Sequence, residues 1–377
     1  MLTRREAMLM SAASCLYSWD AVGAAAAPGF TDRQYAAAMV IDALGGPGGF
    51  DPDNTAGGPL APQFIQDVRA SGVTAVNVTV NEVGNGPDLF EKAVAGIASI
   101  EHELTAHPDA FLKVLNAKHL QEAKATRRMG LIYGFQDASL LGADLTRLAT
   151  FYDLGLRIAQ PTYNLRNLMG DGCLEPADGG LSRLGHDFVA EVNRLHVLLD
   201  LSHAGPRTIA EGITASKAPM AITHTGCRAL VDVPRNTHDR SLKALADRGG
   251  VAGIYFMPFL RASGQPHADD LIRHLEHAVN VCGEDHVGLG TDGGTSGTEL
   301  NEAYAKFQRE FFEARVKQGI AAPGEAADVF NLVPEYNEPR RFKTLANDLA
   351  RRGWSSGRIE KVLGQNFARL FAEVWQS

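Results

Sequence analysis

The sequence predicts an α/β chain of the closed (β/α)8, TIM-type barrel class. Short apolar runs rich in Val, Ile and Leu alternate with segments of helical periodicity along most of its 377 residues. Eight such runs fall between residues 39 and 292. Parallel neighbours need a crossover connection, so this alternation demands a parallel sheet. Eight units in about 250 residues match a closed barrel better than an open sheet. A doubly wound sheet is the alternative, but no GxGxxG follows the first strand.

Taken in order, MVIDAL (39–44) is the first strand, ended by the loop Gly45-Gly46-Pro47-Gly48-Gly49. APQFIQDVRASG (61–72) reads as a helix closed by Gly72, and VTAVNVTV (73–80) as the second strand. Leu89, Phe90, Val94, Ile97 and Ile100 carry helical spacing. LKVLNAKHLQEAKATRR (112–128) is mostly helical with a short strand at its start, and LIYGF (131–135) is the third barrel strand. The helix LTRLATFYDLG (145–155) has Gly155 at its C-terminal side and leads into LRIAQPTY (156–163). Four more helix–strand pairs follow, with strands HVLLDLS (196–202), APMAITH (218–224), VAGIYFM (251–257) and HVGLGTD (286–292). Segment 294–342, with Glu299, Tyr304, Phe307 and Phe311, reads as a helix and loop inserted beside the barrel mouth, as a lid or an oligomer contact.

A formal charge of −8 and the lack of a Lys/Arg cluster argue against a nucleic-acid partner. Cys15, Cys173, Cys227 and Cys282 are too few and too scattered for a disulfide framework or a Cys-based zinc site. Arg4-Arg5, an apolar run and the small residues of AVGAAAAPGF make residues 1–27 a twin-arginine-type signal. The expected mature chain, 28–377, is a single barrel domain, periplasmic or secreted. No later segment approaches the roughly 20 apolar residues of a membrane span.

In a barrel of this class, functional groups sit at the C-terminal ends of the strands. Gln136, Tyr163, Asn164, His203, His224, Tyr255 and Asp292 all end or follow strands and should converge on one mouth. His203 and His224 suit a metal ion; the competing role is capping of the helices that follow. Asp292, in GLGTDGG, suits a ligand or general base, or an ordinary turn aspartate. Arg228 could hold a carboxylate, or pair with Asp232 at the surface. HELTAH (102–107) is no zinc motif, because its histidines are five apart rather than four. HLEH (274–277) falls on an exterior helix.

The motifs DLSH (200–203), THTGCR (223–228), HVGLGTDGG (286–294) and GQNFAR (364–369) occur in order. With SGVTAVNVTV and FYDLGLRIAQPTYNLRNLMGDG, the chain resembles the membrane (renal-type) dipeptidase family, peptidase family M19. The resemblance implies a metallo-dependent-hydrolase-like barrel whose two zinc ions hydrolyse dipeptides. It matches His203 and His224 to the histidine ligands of one ion, Arg228 to the arginine that holds the substrate carboxylate, and Asp292 to the strand-eight aspartate. The chain departs from the family elsewhere. Leu44 and Gly46 stand at its His-x-Asp pair, and Gln136, beside Asp137, at its bridging glutamate. Tyr163 replaces a substrate-contacting histidine, and TDGG replaces a motif with a second aspartate.

A two-ion site needs several anionic oxygens against about four positive charges. The expectation is therefore a dipeptidase-like hydrolase of dipeptides or related small amides. It would use one zinc on His203 and His224, with Gln136 at the bridging position, Asp292 and Tyr163 as catalytic groups, and Arg228, Tyr163 and Asn164 as substrate contacts. Two alternatives stand beside it. One is a metal-independent isomerase or lyase for a peptide-derived metabolite, using Tyr163 and Tyr255. The other is a non-catalytic binding protein. The expected partner is a small molecule or dipeptide, and a homodimer is compatible with the chain.

Overall fold

Eight short parallel strands carry the architecture: β1 (Ile41–Asp42), β2 (Ala75–Thr79), β3 (Met129–Phe135), β4 (Leu156–Ala159), β5 (Leu198–Leu199), β6 (Ala221–Thr225), β7 (Val251–Ile254) and β8 (Val287–Leu289). This computed structural model describes residues 29–52, 58–84 and 86–375. The twin-arginine-type segment and its cleavage region lie outside the described residues. Strands β1 to β5 pair in sequence order, as do β6 to β8. Two seams join these sheets into a ring. At one, Leu201 N donates to Ala221 O (2.8 Å) beside the parallel bridge between Asp200 and Ala221. At the other, Ala43 N donates to Leu289 O (2.9 Å). The predicted TIM-type fold is what the chain adopts. The extra strand at Phe111–Lys113 pairs with the start of β3, as the sequence suggests.

Barrel strands are buried on both faces, which is why they read as near-continuous apolar runs. All seven residues of β3 are buried. Between strands and helices lie Val76, Val78, Leu131, Tyr133 and Phe135. Inside the ring, Ile41, Ile132, Ile158, Leu198 and Val251 pack with Phe367, Phe371 and Val374 of the helix Asn366–Val374. That helix plugs the end where the strands begin, and Trp375 Nε1 donates to Arg157 O (3.1 Å). Gly288 permits this approach: a Cβ there would lie 2.5 Å from Phe367 Cε2. With the lower end filled, the opposite end is left for chemistry. Among the described residues, no helix is long and apolar enough to cross a membrane.

The second seam continues past the strands. Asp42 accepts from Thr291 Oγ1 (2.6 Å), Thr291 N (2.8 Å) and Leu44 N (3.3 Å). Asp292 N donates to Leu44 O (2.8 Å), and Gly45–Gly46 pairs in parallel with Gly293–Gly294. Asp42 thus belongs to the barrel layer, where it fastens the loop that carries Asp292.

Burial holds the Asp42 carboxyl up to about 7, against the hydrogen bonds from Thr291 and Leu44 that favour its ionised form. Between about pH 4 and 7 the native chain keeps a proton that the unfolded chain releases. Stability is therefore expected to fall, by at most about 4 kcal/mol, as pH rises through that window. Asp42→Asn should flatten this slope while costing about 1–3 kcal/mol for the donor it leaves unpaired. Urea unfolding of both proteins on either side of the window measures the two effects.

Candidate active site

His203 follows β5 by one turn, and His224 lies within β6. Their Nε2 atoms approach to 2.8 Å. The other ring nitrogens decide what this contact is. Asn164 Nδ2 donates to Ile320 O (2.7 Å), a group that can only accept, so the Asn164 amide has one orientation. Its Oδ1 then faces His203 Nδ1 at 2.6 Å and takes that nitrogen's proton. On the other side, Thr223 Oγ1 donates to Asp200 Oδ2 (2.6 Å) and lies 2.8 Å from His224 Nδ1. Its single proton goes to the carboxylate, so it accepts from His224. Ser202 Oγ likewise gives its proton to Asp200 (2.7 Å). Both imidazoles therefore carry hydrogen on Nδ1 and turn bare Nε2 lone pairs toward each other.

The surroundings keep the pair neutral. His203 is 4 % exposed and His224 is fully buried. Burial first, and then the Arg235 guanidinium, hold both rings well below the usual histidine range; His224 and Arg315 add to this for His203. Two bare lone pairs turned to one another repel, these groups disfavour a proton, and a cation set to one side of both nitrogens would relieve the repulsion. Imidazole nitrogens oriented by outer acceptors are also how metal-binding histidines are commonly held. Backbone strain marks the same region. Among the described residues, His203 (φ 62°) and Asp292 (φ 58°) are two of six non-glycine residues at positive φ. Each such position costs on the order of 1–3 kcal/mol.

A strap from the segment after β8 covers the histidines. Tyr163 stacks on His203, ring centroids 4.0 Å apart. Its hydroxyl accepts from Arg315 Nη1 (3.1 Å), which extends from the helix Glu302–Lys317. Arg315 is held bidentately by Glu325 (2.6 and 2.9 Å), and both side chains are largely buried. Arg235, 4 % exposed, lies over the rings of Tyr255 and Phe259 (5.8 and 5.9 Å), and its Nη2 has no hydrogen-bond partner. Beside this covered centre opens a cleft of about 490 Å³ whose wall includes Leu44, Gly46, Gln136 and Asp292. Desolvation pushes the Asp292 carboxyl up to about 6, opposed by Arg235 and Arg315.

Several expectations change in this light. Arg228 does not enter the mouth: its Nε donates to Asp232 (2.6 Å), because the 226–237 loop doubles back through Thr237 N to Gly226 O and Arg228 N to Thr237 O. The same fold-back carries Arg235 inside. Asn164 is not open to substrate, since both ends of its amide are engaged; its position is enforced by Gly172, where a Cβ would meet Tyr163 O at 2.1 Å. Tyr255 is fully buried with its hydroxyl donated to Asn236, which removes it as an acid–base group. Gln136 Nε2 donates to Thr79 Oγ1 (2.8 Å) on the cleft side, away from the covered histidines. Asp137 does not substitute for it, because Gly84 N, Ser139 and Asn167 take its carboxylate. Sequence reasoning missed Arg235, Arg315 and the Asp200–Thr223 support. Of these, Asp200 in the DLSH motif and Thr223 in THTGCR carried a local signal, whereas Arg235 and Arg315 carried none.

Leu44 and Gly46 offer no ligand, and Gln136 is a neutral amide bound to Thr79. Among the described residues, no group of three or more His, Cys, Asp or Glu side chains is placed to hold an ion. The two Nε2 atoms are donors of the kind that suit zinc or a similar ion.

Arg315→Ala leaves Glu325 buried without its counter-charge and is expected to cost about 3–5 kcal/mol in chemical denaturation. Arg315→Ala/Glu325→Ala, which removes both charges, should lose less. Both variants should speed acylation of His203 in a mass-mapped histidine-labelling experiment, since the strap is then released.

Known proteins are similar to this chain in sequence and in fold. A protein from the pqqA 5′ region of Klebsiella pneumoniae, uncharacterized, is 29 % identical over 74 % of this chain and 94 % of its own length. Dipeptidase verJ of Clonostachys rogersoniana is 34 % identical over 63 % of this chain, though the match spans only 55 % of that protein. Among solved structures, an amidohydrolase from Pseudomonas aeruginosa superposes with a TM-score of 0.77 at 30 % identity, covering 91 % of this chain and 98 % of that one. Residues 63–312 match the profile of the membrane dipeptidases, and the chain belongs to that family, peptidase family M19.

Proposed function

We propose that this chain hydrolyses dipeptides or related small amides with a single metal ion held by His203 and His224. The observation that carries the reading is the pair of Nε2 lone pairs at 2.8 Å, each fixed by an acceptor on its own Nδ1. Membership of a metal-dependent dipeptidase family supports it, as does the relative named a dipeptidase. Zinc bound there would supply a polarised carbonyl and a more acidic water.

The chain's own groups supply the rest. Arg235 presents an unpartnered Nη2 in a buried setting and suits a substrate carboxylate. Asp292, with its carboxyl near 6, is poised to take a proton from the attacking water and return it to the leaving amine. Tyr163 and Arg315 exclude water from the histidines and must shift for substrate to reach them. That cover favours a second reading, a binding protein on the same barrel.

Calorimetry on chelator-stripped full chain should show one zinc per chain, with binding lost in His203→Ala. Thr223→Val, which removes the acceptor of His224 Nδ1, should weaken it about 10–100-fold. Hydrolysis across a dipeptide panel should disappear with chelator and return with zinc. Absence of zinc binding, with turnover indifferent to chelator, would sink the single-ion reading. Dipeptide binding without turnover at saturating zinc would leave the binding protein.

A further inference from the structure

The cleft beside the covered centre has a chemistry of its own. Tyr304, Phe307 and Phe311 recur at i, i+3 and i+7 along one face of the helix Glu302–Lys317, and all three line the cleft. Phe50 closes the row from the opposite side, its ring 5.2 Å from Tyr304 and 4.9 Å from Phe307. Phe307 and Phe311 remain 36 % and 38 % exposed. Where these rings face the barrel, the cleft is edged by the glycine loop, which offers no side chains to fill it. At about 490 Å³ the space is sized for a small organic group.

Two polar atoms on the same wall lack partners. Ser296 is 3 % exposed and its Oγ makes no hydrogen bond. Asn331 Oδ1 is likewise buried and unpaired. Unpaired buried polar atoms are costly and rare, and they ask for a ligand group. An acceptor such as Asn331 Oδ1 asks for an O–H or N–H. A purely aliphatic side chain would leave both atoms unanswered, and the exposed faces of Phe307 and Phe311 favour a ring as their neighbour.

We infer that the cleft is a specificity subsite for an aromatic side chain that carries a hydrogen-bond donor, a phenol or an indole. The inference rests on the reading of the mouth as a peptide-binding site, since Asp292 borders the same cleft. The ring lies among Phe50, Phe307 and Phe311, and its donor meets Asn331 Oδ1 with Ser296 Oγ alongside. Leu44, Gly46 and Gln136 add no charge to a cleft whose charged lining residues are Asp292 and Arg341.

Calorimetric titration of the purified full chain with Tyr-Ala, Trp-Ala, Phe-Ala and Leu-Ala, and with the reversed dipeptides, tests it. In one of the two orders, the Tyr or Trp peptide should bind at least about tenfold tighter than the Leu peptide, with Phe between them. The better of Tyr and Trp identifies the donor as phenol or indole. Asn331→Leu and Ser296→Ala should bring that peptide to the Phe level. Phe307→Ala, at a half-exposed position that tolerates truncation, should lower every aromatic peptide toward Leu. Equal affinities across the panel, or a preference unchanged in all three variants, overturn the subsite. Hydrolysis without ring preference overturns the subsite and spares the hydrolase. Ring-selective binding without hydrolysis supports the subsite and counts against the hydrolase.

Discussion

Thr223 Oγ1 gives its proton to Asp200 and so must take one from His224, and the rest of the centre follows from that exchange. Asp200 is fully buried and also receives Gln160 Nε2, Ser202 N and Oγ, and Thr223 N. With so many donors its carboxylate needs no cation of its own, and it can set the tautomer of a neighbouring imidazole instead. Asn164 does the same for His203 from across the mouth, and is itself fixed by a carbonyl of the strap. The strap is therefore more than a cover: the bond from Asn164 to Ile320 links its position to the direction of a histidine lone pair.

The electrostatics of the mouth have been redistributed rather than removed. Arg235 and Arg315 face Asp292 and Glu325, two cations against two anions. The positive charge of this mouth is carried by guanidinium groups. A buried guanidinium without a partner on Nη2 favours an anionic ligand. On the cleft side, Leu44, Gly46 and Gln136 are apolar or neutral, which suits a ring better than an ion.

The eight strands were legible because barrel strands are apolar on both faces and the helices between them are not. The rim positions of His203, His224, Gln136 and Asp292 followed from counting strands. What spacing could not show was the path of loops. Arg228 and Arg235 lie in one loop, and only its reversal at Thr237 decides which of them turns inward. Arg315 reaches Tyr163 across 152 positions of sequence, a contact with no local trace. Asn164 looked like a substrate contact because both ends of its amide are hidden partners until the strap and His203 are placed. Asp42 lies inside the first predicted strand, and nothing in the sequence around it marks it as the fastening of the β8 loop.

The seam between Ala43 and Leu289, and the plug formed by Phe367 and Phe371, have a consequence for biosynthesis. During translation the first strand emerges with neither its neighbour across the seam nor the side chains that fill its inner face. Early strands can pair in order, but they form an open, curled sheet with two unsatisfied edges and a hollow end. Closure waits until residues beyond 366 are available, so the long-range contacts form last and folding is slowed by topology. Until then the nascent chain presents β-edge and apolar surface together, the combination that invites aggregation. A holding chaperone acting on the growing chain, rather than on the finished barrel, is where such a protein would draw on cellular help.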